Sequence, residues 1–486
     1  MNEHPSKSRG TRVSRLCGKM TLWPRVSSPV LWGLVMACCL NVGSSKAAVT
    51  VSPNIHYYYS EGPGEGLSVS SDGKFIMVSS PIEAGEIDGE VYFRSQIPHV
   101  VHHAQASTPF TTTVNVDLNL GESTDVALLP GNPFGLAVVR ADGLSPINAL
   151  LALRGNHILQ ALLIPEAPDG MKVSPNGRYA VVAVEKGGEI RVYDLSGGAG
   201  QIKLAALVSF DALAAYYEGV SNPAGGDLEP EAVGISSDSS VALVTIQDSS
   251  SVAALDLDAI THGLQQGMTP EALGNLALKN VIHLPYGFIG NNGRQFGVEP
   301  DGVAISPDGS FAMVAHEPSQ RVKHLQGFSV LDLRQGLTQI TSQSYCVFDA
   351  DSSLLSNTGL SKCPVVEPGD PYPSDADKLP RLDPASFKIV QRGGQLVAAL
   401  VIERYEPSDA QEDAAMENED RGSVLFLESS QALQGVFPKI DRVPVGASDS
   451  HLEVIDSAQG GRWIFVSISN GGVDKGTLAR LELVTD

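Results

Sequence analysis

Acidic residues return at one position of a repeating pattern. The stretch EPDGVAISPDGSFAMVAHE, beginning at Glu299, opens on acids and runs into an alternating segment, a Pro-Asp-Gly turn and a second apolar segment. Laid in the same frame, related stretches bring Glu65, Asp169, Glu231, Asp301 and Glu453 into register. Ser386 takes this position in a sixth copy, and Thr124 or Asp125 in a seventh. Two residues earlier in three copies stand Glu229, Glu299 and His451. Carboxylates brought close raise one another's pKa unless positive charge sits among them, and a divalent cation is the simplest remedy. Oxygen donors without cysteine, with only His451 as an imidazole in frame, suit Ca²⁺ or Mg²⁺, admit Mn²⁺ and disfavour structural Zn²⁺. Two uses follow. Such a face holds a cation and recognises a small-molecule or protein ligand, or it hydrolyses a lactone or phosphoester with metal help and a carboxylate or His451 as general base. A plainer role also stays open, in which each acid caps its own turn, although capping accepts Ser or Asn equally well.

Other chemistry is thinner. His316-Glu317, at the end of one apolar segment, reads either as a general base on the same face or as a hydrogen-bonded loop histidine. His99, His102 and His103 lie in a polar, Pro-flanked segment without a matching carboxylate and read as surface residues. Glu83, Glu86, Asp88 and Glu90 are expected in a loop on the acidic face, and so is the run 403–421, with eight acids in nineteen residues, unless it is only a solvated loop. Tyr57-Tyr58-Tyr59 fits a sugar platform less well than a strand packed on its neighbour. The Gly-Gly pairs precede no helix and cradle no phosphate. Neither G-x-S-x-G nor H-E-x-x-H occurs, and no organic cofactor is indicated.

The elements that position the acids follow from the same frame. Copies start at Gly64, Pro168, Pro230, Glu299 and Leu452, and two weaker ones lie around Thr124 and Ser386, giving seven at spacings of roughly 45 to 85 residues. A third apolar segment follows several copies: EIRVYDL (189–195), SVAALDL (251–257), GFSVLDL (327–333) and SVLFLES (423–429). Strand, turn, strand, loop, strand, repeated seven times, predicts an all-β chain forming one seven-bladed β-propeller of four-stranded blades over 48–486. The excess length is expected as loops or insertions, chiefly near 340–385 and 403–421. The segment near Val49 to Tyr59 is expected to complete the last blade beside Thr477 to Val484.

The S-P-D-G turns and the strands ending in (V/A)-x-D-L resemble the lactonase-like, YVTN-type propellers of exported bacterial proteins. The block Asp227-Leu228-Glu229-Pro230-Glu231, followed by AVGISSDSSVALVTIQDSSSVAALDL, is more specific. It resembles the D-L-E-P-E block of the choice-of-anchor I propellers, proteins of the cell exterior sometimes associated with phosphatase and phytase-like activity. No phosphatase nucleophile motif accompanies it here.

Composition bounds the partners. Beyond residue 47 the chain carries 26 basic against 54 acidic residues, a surface that repels nucleic acid and anionic lipid. Residues 1–47 hold seven Lys/Arg, an uncharged run from Val30 to Leu40 and Ser45-Lys46-Ala47, the pattern of a signal peptide, with Met20 as an alternative start. The run is too short to span a bilayer. A periplasmic or secreted monomer is expected, with lipid anchoring at Cys38 a lesser alternative. Cys346 and Cys363 then remain as the pair for one disulfide in an oxidising compartment.

Overall fold

The turn that punctuates the repeat is a small hydrogen-bonded device. At Ser306-Pro307-Asp308-Gly309, the Ser306 hydroxyl donates to Asp308 Oδ1 at 2.7 Å and accepts from the amide of Phe311 at 3.1 Å. The Ser310 amide donates to the same Asp308 oxygen at 3.0 Å, and Gly309 takes a φ of 71° that costs glycine nothing. Ser174-Asn176-Gly177 repeats the arrangement, and Ser236-Asp238 repeats it with Ser239 at positive φ. The turn therefore fixes where the first strand ends and the second begins.

A computed structural model describes residues 47–59, 63–87, 90–104, 106, 109–118, 121–131, 134–141, 147–217, 228–284, 286–289, 295–318, 326–346, 361–362, 381–406, 422–446, 451–458, 460–469 and 477–485. Two short N-terminal strands, β1 (Val49–Val51) and β2 (His56–Tyr58), precede the blades. Blade 1 holds β3 (Leu67–Val69), β4 (Phe75–Val78), β5 (Ser80–Ile87), β6 (Glu90–His102) and β7 (Phe110–Leu118), with β5 continuing β4 along β6. Blade 2 is β8 (Glu122–Leu128), β9 (Phe134–Arg140), β10 (Ala149–Arg154) and β11 (His157–Leu163). Blade 3 is β12 (Pro168–Val173), β13 (Tyr179–Val184), β14 (Glu189–Asp194) and β15 (Lys203–Val208). Blade 4 is β16 (Pro230–Ile235), β17 (Val241–Ile246), β18 (Ser251–Asp256) and β19 (Leu278–His283).

Blade 5 begins with the hairpin partner β20 (Tyr286–Ile289) and contains β21 (Gln295–Ile305), β22 (Phe311–Pro318), β23 (Gly327–Asp332), β24 (Thr341–Cys346) and the two-residue β25 (Ser361–Lys362). Blade 6 is β26 (Arg381–Arg392), β27 (Gln395–Glu406), β28 (Ser423–Glu428) and β29 (Lys439–Pro444). Blade 7 is β30 (His451–Ser457), β31 (Trp463–Ser469) and β32 (Leu478–Thr485). The fold is the expected seven-bladed propeller of antiparallel blades. As expected, the N-terminal strands complete the last blade: Val49 pairs with Thr485 and Tyr58 with Leu478.

Second strands are apolar on both faces because a blade lies against each. β13 and β31 are buried at every residue. Seven hydrophobic clusters result, one between each pair of neighbouring blades, including one joining blade 7 to blade 1 through Trp463, Phe465, Leu67, Ile76 and Val100. Seven junctions for seven blades means the ring is closed.

Some of the expected loop is structured. After blade 4's third strand the chain forms two helices, Leu257–Gln265, capped by Asp256, and Pro270–Ala277, capped by Thr269 with proline in its first turn. Gly274 of the second lies against the carbonyl of Leu207 and covers the outer strand of blade 3. The acids expected in a loop at 83–90 belong to the β5–β6 hairpin, with Asp88 outside the described residues. Of 403–421, Glu403 to Glu406 continue β27 and the remainder lies outside the described residues. Residues 1–46 also lie outside them. Among the described residues no helix is long and apolar enough to cross a membrane.

Candidate functional site

Each inner strand from blade 3 to blade 7 carries an irregularity at the same place, and that of blade 6 carries a second one just before it. Pro168 pairs with Val184 and Met171 with Val182, so Asp169 and Gly170 together face one residue of the second strand. Glu231-Ala232, Asp301-Gly302, Ala385-Ser386 and Glu453-Val454 occupy the same two-against-one position. Such a bulge bends the strand and re-aims a side chain. Neighbouring inner strands meet here without room to spare. A Cβ on Gly170 would collide with the carbonyl of Glu231, and one on Gly302 with the carbonyl of Ala385. Hydroxyls latch one blade to the next at the same level: Thr124 donates to the Asp169 carbonyl at 2.7 Å, Thr245 to that of Asp301 at 2.8 Å and Ser467 to that of Glu65 at 3.0 Å.

The five aligned carboxylates converge. Burial pushes Glu65 up to about 8, and the charges of Glu122, Glu453 and Asp169 add to it while Arg140 opposes. Asp169 rises to about 7 by burial, helped by Glu185, Asp125 and Glu453 and opposed by Arg140. Glu231 is raised well above the usual carboxylate range by burial, then by Asp169, Glu185, Glu317 and Glu229. Asp301 is raised likewise by burial, then by Glu317, Glu231, Glu453 and Glu403. One oxygen of Glu231 is buried with no hydrogen-bond partner.

Positive charge reaches one side of this ring. Arg140 Nε donates to Glu122 at 2.7 Å and its guanidinium lies 3.6 Å from Glu185 and 3.9 Å from Asp169. Lys186 pairs with Glu185 and, at 2.9 Å, with Glu229. Between blades 5 and 6 the composition differs: Glu317, Asp383 and Glu403 each bring a carboxylate oxygen within 4.8 Å of the others. Asp383 is fully buried, and Asp301 feels both Glu317 and Glu403. Three convergent hard oxygens at this spacing can hold a divalent ion.

The remaining sequence-predicted residues divide. Glu299 stands opposite Glu317 across the β21–β22 ladder. Glu453 accepts from the Ser469 hydroxyl at 2.7 Å. Asp125 spends its carboxylate on the amides of Met171 at 2.8 Å and Val126 at 2.7 Å, so it ties blade 2 to blade 3 instead of facing a ligand. In blade 6 the aligned position falls on Ala385 and not on Ser386, which is one residue late, so this blade brings no acid there. His451 pairs through its backbone with Ser469, and its side chain lies outside the described residues.

Two histidine readings change. His316 is not a loop residue but a fully buried member of β22, next to Glu317. His102 is not a surface residue either, being buried between blades 1 and 7. Cys346 is buried at the end of β24, opposite Ser361, while Cys363 lies outside the described residues.

Asp383 was missed, and so was the role of Glu317 and Glu403 as its partners. A signal existed: two residues after the residue opposite each bulge stand Glu185, Gln247, Glu317, Glu403 and Ser469 in blades 3 to 7, a second ring beside the first. Asp383 stands two residues before Ala385, the position of Glu229 and Glu299 in blades 4 and 5, and a frame set on Ser386 puts Pro384 there instead.

No protein-family model matches the chain. No curated protein matches it. Among solved structures it is similar to Kuenenia stuttgartiensis Hydrazine Synthase, at 13% identity over 86% of this chain and 99% of that one, with a TM-score of 0.49. A likeness of that size carries no inference about activity, so the site must be read from its own residues.

Proposed function

We propose that the chain is an exported β-propeller binding or scaffold protein whose acidic mouth holds a divalent cation, Ca²⁺, Mg²⁺ or Mn²⁺, and through it recognises a small-molecule or protein ligand. The observation that carries this reading is the convergence of Glu317, Asp383 and Glu403 within 4.8 Å beside Asp301. Glu231, with a buried oxygen left without a partner, and Glu65, Asp169, Glu229, Glu299 and Glu453 form the surrounding acidic field. Export rests on the leader pattern at 1–47, and kinship with the choice-of-anchor I propellers rests on the D-L-E-P-E block, whose Glu229 and Glu231 both stand at the mouth. Calorimetric titration of the chelated protein with Ca²⁺, Mg²⁺ and Mn²⁺ tests the cation. Saturable binding is expected for the parent and at least a tenfold loss for Asp383→Asn. No heat and no shift in melting with any of the three at millimolar concentration would refute it. Turnover of a lactone or phosphoester panel that depends on the bound ion would replace binding by metal-assisted hydrolysis as the function.

A further inference from the structure

The ring closes where its last blade meets its first, and the side chain at the middle of that junction is an imidazole. His102, the last residue of β6, is 5% exposed. Its Nδ1 lies 2.9 Å from the carbonyl oxygen of Gly73 and its Nε2 lies 2.9 Å from Nη1 of Arg480 on β32. A carbonyl only accepts and a guanidinium only donates, so the ring must be neutral, with its proton on Nδ1 and a lone pair on Nε2. The surroundings are aromatic: the rings of Phe465, Trp463 and Phe110 stand 5.2, 5.5 and 5.8 Å from it. Arg480 lies over Trp463 at 4.3 Å, and Tyr58 of β2 bonds Thr112 of β7 across the same junction at 2.7 Å.

We propose that this junction is an acid-released latch, in which protonation of His102 parts blade 7 from blade 1 while the other junctions stay packed. A proton on Nε2 would confront Arg480 donor to donor and place two cations about a hydrogen-bond length apart in an aromatic enclosure. The charged groups facing His102 do not relieve this. Arg480, His103 and His56 are all basic, Glu482 beside Arg480 is already engaged by Arg462 at 2.7 Å, and Lys74 and Asp72 pair with each other at the turn. Burial lowers the pKa of His102 from its ordinary value, the Gly73 bond partly restores it, and Arg480, His103 and His56 lower it again. The latch therefore contributes in full above about pH 6.5, the ordinary histidine value, and loses its contribution as pH falls below it.

Amide hydrogen exchange on the whole protein at pH 7.5, 6.5, 5.5 and 5.0, corrected for intrinsic exchange rates, reads the latch directly. Opening at β6, β7, β31 and β32 should rise by up to tenfold for each pH unit below 6.5, while β13, β17 and β22 remain protected. His102→Gln keeps an acceptor for Arg480 and a donor for Gly73 without titrating, so its junction should be insensitive to pH. Exchange in the parent that is unchanged from pH 7.5 to 5.0, or a His102→Gln variant with the parent's pH response, would overturn the proposal. Should that variant not fold, the His102 ring titration by NMR in the parent decides: a midpoint at or above 6.5 refutes the latch, and one below it supports it.

Discussion

Glu299 and Glu317 stand directly opposite each other on neighbouring antiparallel strands, two carboxylates in a position where like charges repel. Nothing in strand pairing requires this. It places an acid at the one edge of the ring where Asp383 and Glu403 already converge. Glu317→Gln should therefore stabilise the chelated protein slightly, by up to about 1 kcal/mol. With a divalent ion the sign should reverse, because the parent gains about 2.7 kcal/mol at a hundredfold excess over the dissociation constant and the variant loses a ligand. Thermal melts with and without chelator measure both signs.

Metal-free stability should fall as pH rises from about 4.5 to about 8. Glu65 and Asp169 have folded values of about 8 and 7, above their ordinary ones, so the folded chain holds protons that the unfolded chain has released. Their contribution is complete below their ordinary carboxylate values and is lost as pH climbs through the folded ones. The slope is about 1.4 kcal/mol per pH unit for each proton carried. Calorimetry in chelator should show it, and a saturating divalent ion should flatten it.

Arg140 is the guanidinium that serves Glu122, Asp169 and Glu185 together. Arg140→Gln should cost on the order of 1–2 kcal/mol, a modest value because about a third of the side chain remains in water. Denaturant unfolding at pH 8 reads it, and the loss should shrink at pH 5, where Asp169, raised to about 7, holds its proton.

Gly170→Ala tests the close approach of the inner strands. The added methyl meets the carbonyl of Glu231, so blades 3 and 4 must shift apart at the mouth, costing about 1–3 kcal/mol. Cation binding should weaken in the same variant although no carboxylate is lost. A variant as stable as its parent would show that the strands are looser than described.

Cys346 and Cys363 should be oxidised in protein recovered from an oxidising compartment. Cys346 lies opposite Ser361, which brings the chain back alongside β24 two residues before Cys363. Closing that loop should contribute about 3 kcal/mol, read as a loss on reduction. Recovery of two free thiols would end the idea.

The repeat was legible because each S-x-D-G turn fixes the register of two strands, and register carried the positions of Glu65, Asp169, Glu231, Asp301 and Glu453 directly. The five-residue frame of DLEPE likewise marked Glu229. What escaped was whatever depends on pairing between distant segments. Asp383 escaped for another reason: a frame set one residue late, on Ser386, put Pro384 at the position of Glu229 and Glu299. His102 is buried because β32, hundreds of residues later, supplies Arg480 and lines up behind Trp463. The helices between β18 and β19 were hidden in segments read only as excess length, although Asp256 and Thr269 are ordinary caps.

Pairing Val49 with Thr485 also sets a clock on biosynthesis. The first strand leaves the ribosome with no partner, and at about 5–20 residues per second its partner follows only after roughly 20–90 s. Until then β1 and β2 are unpaired edges, and the apolar flank of blade 1 that will meet Trp463 and Phe465 is open. A helper that shields the nascent N-terminal segment should therefore raise the yield of folded protein, and a circular permutant that places β1 and β2 directly after β32 should need that help least.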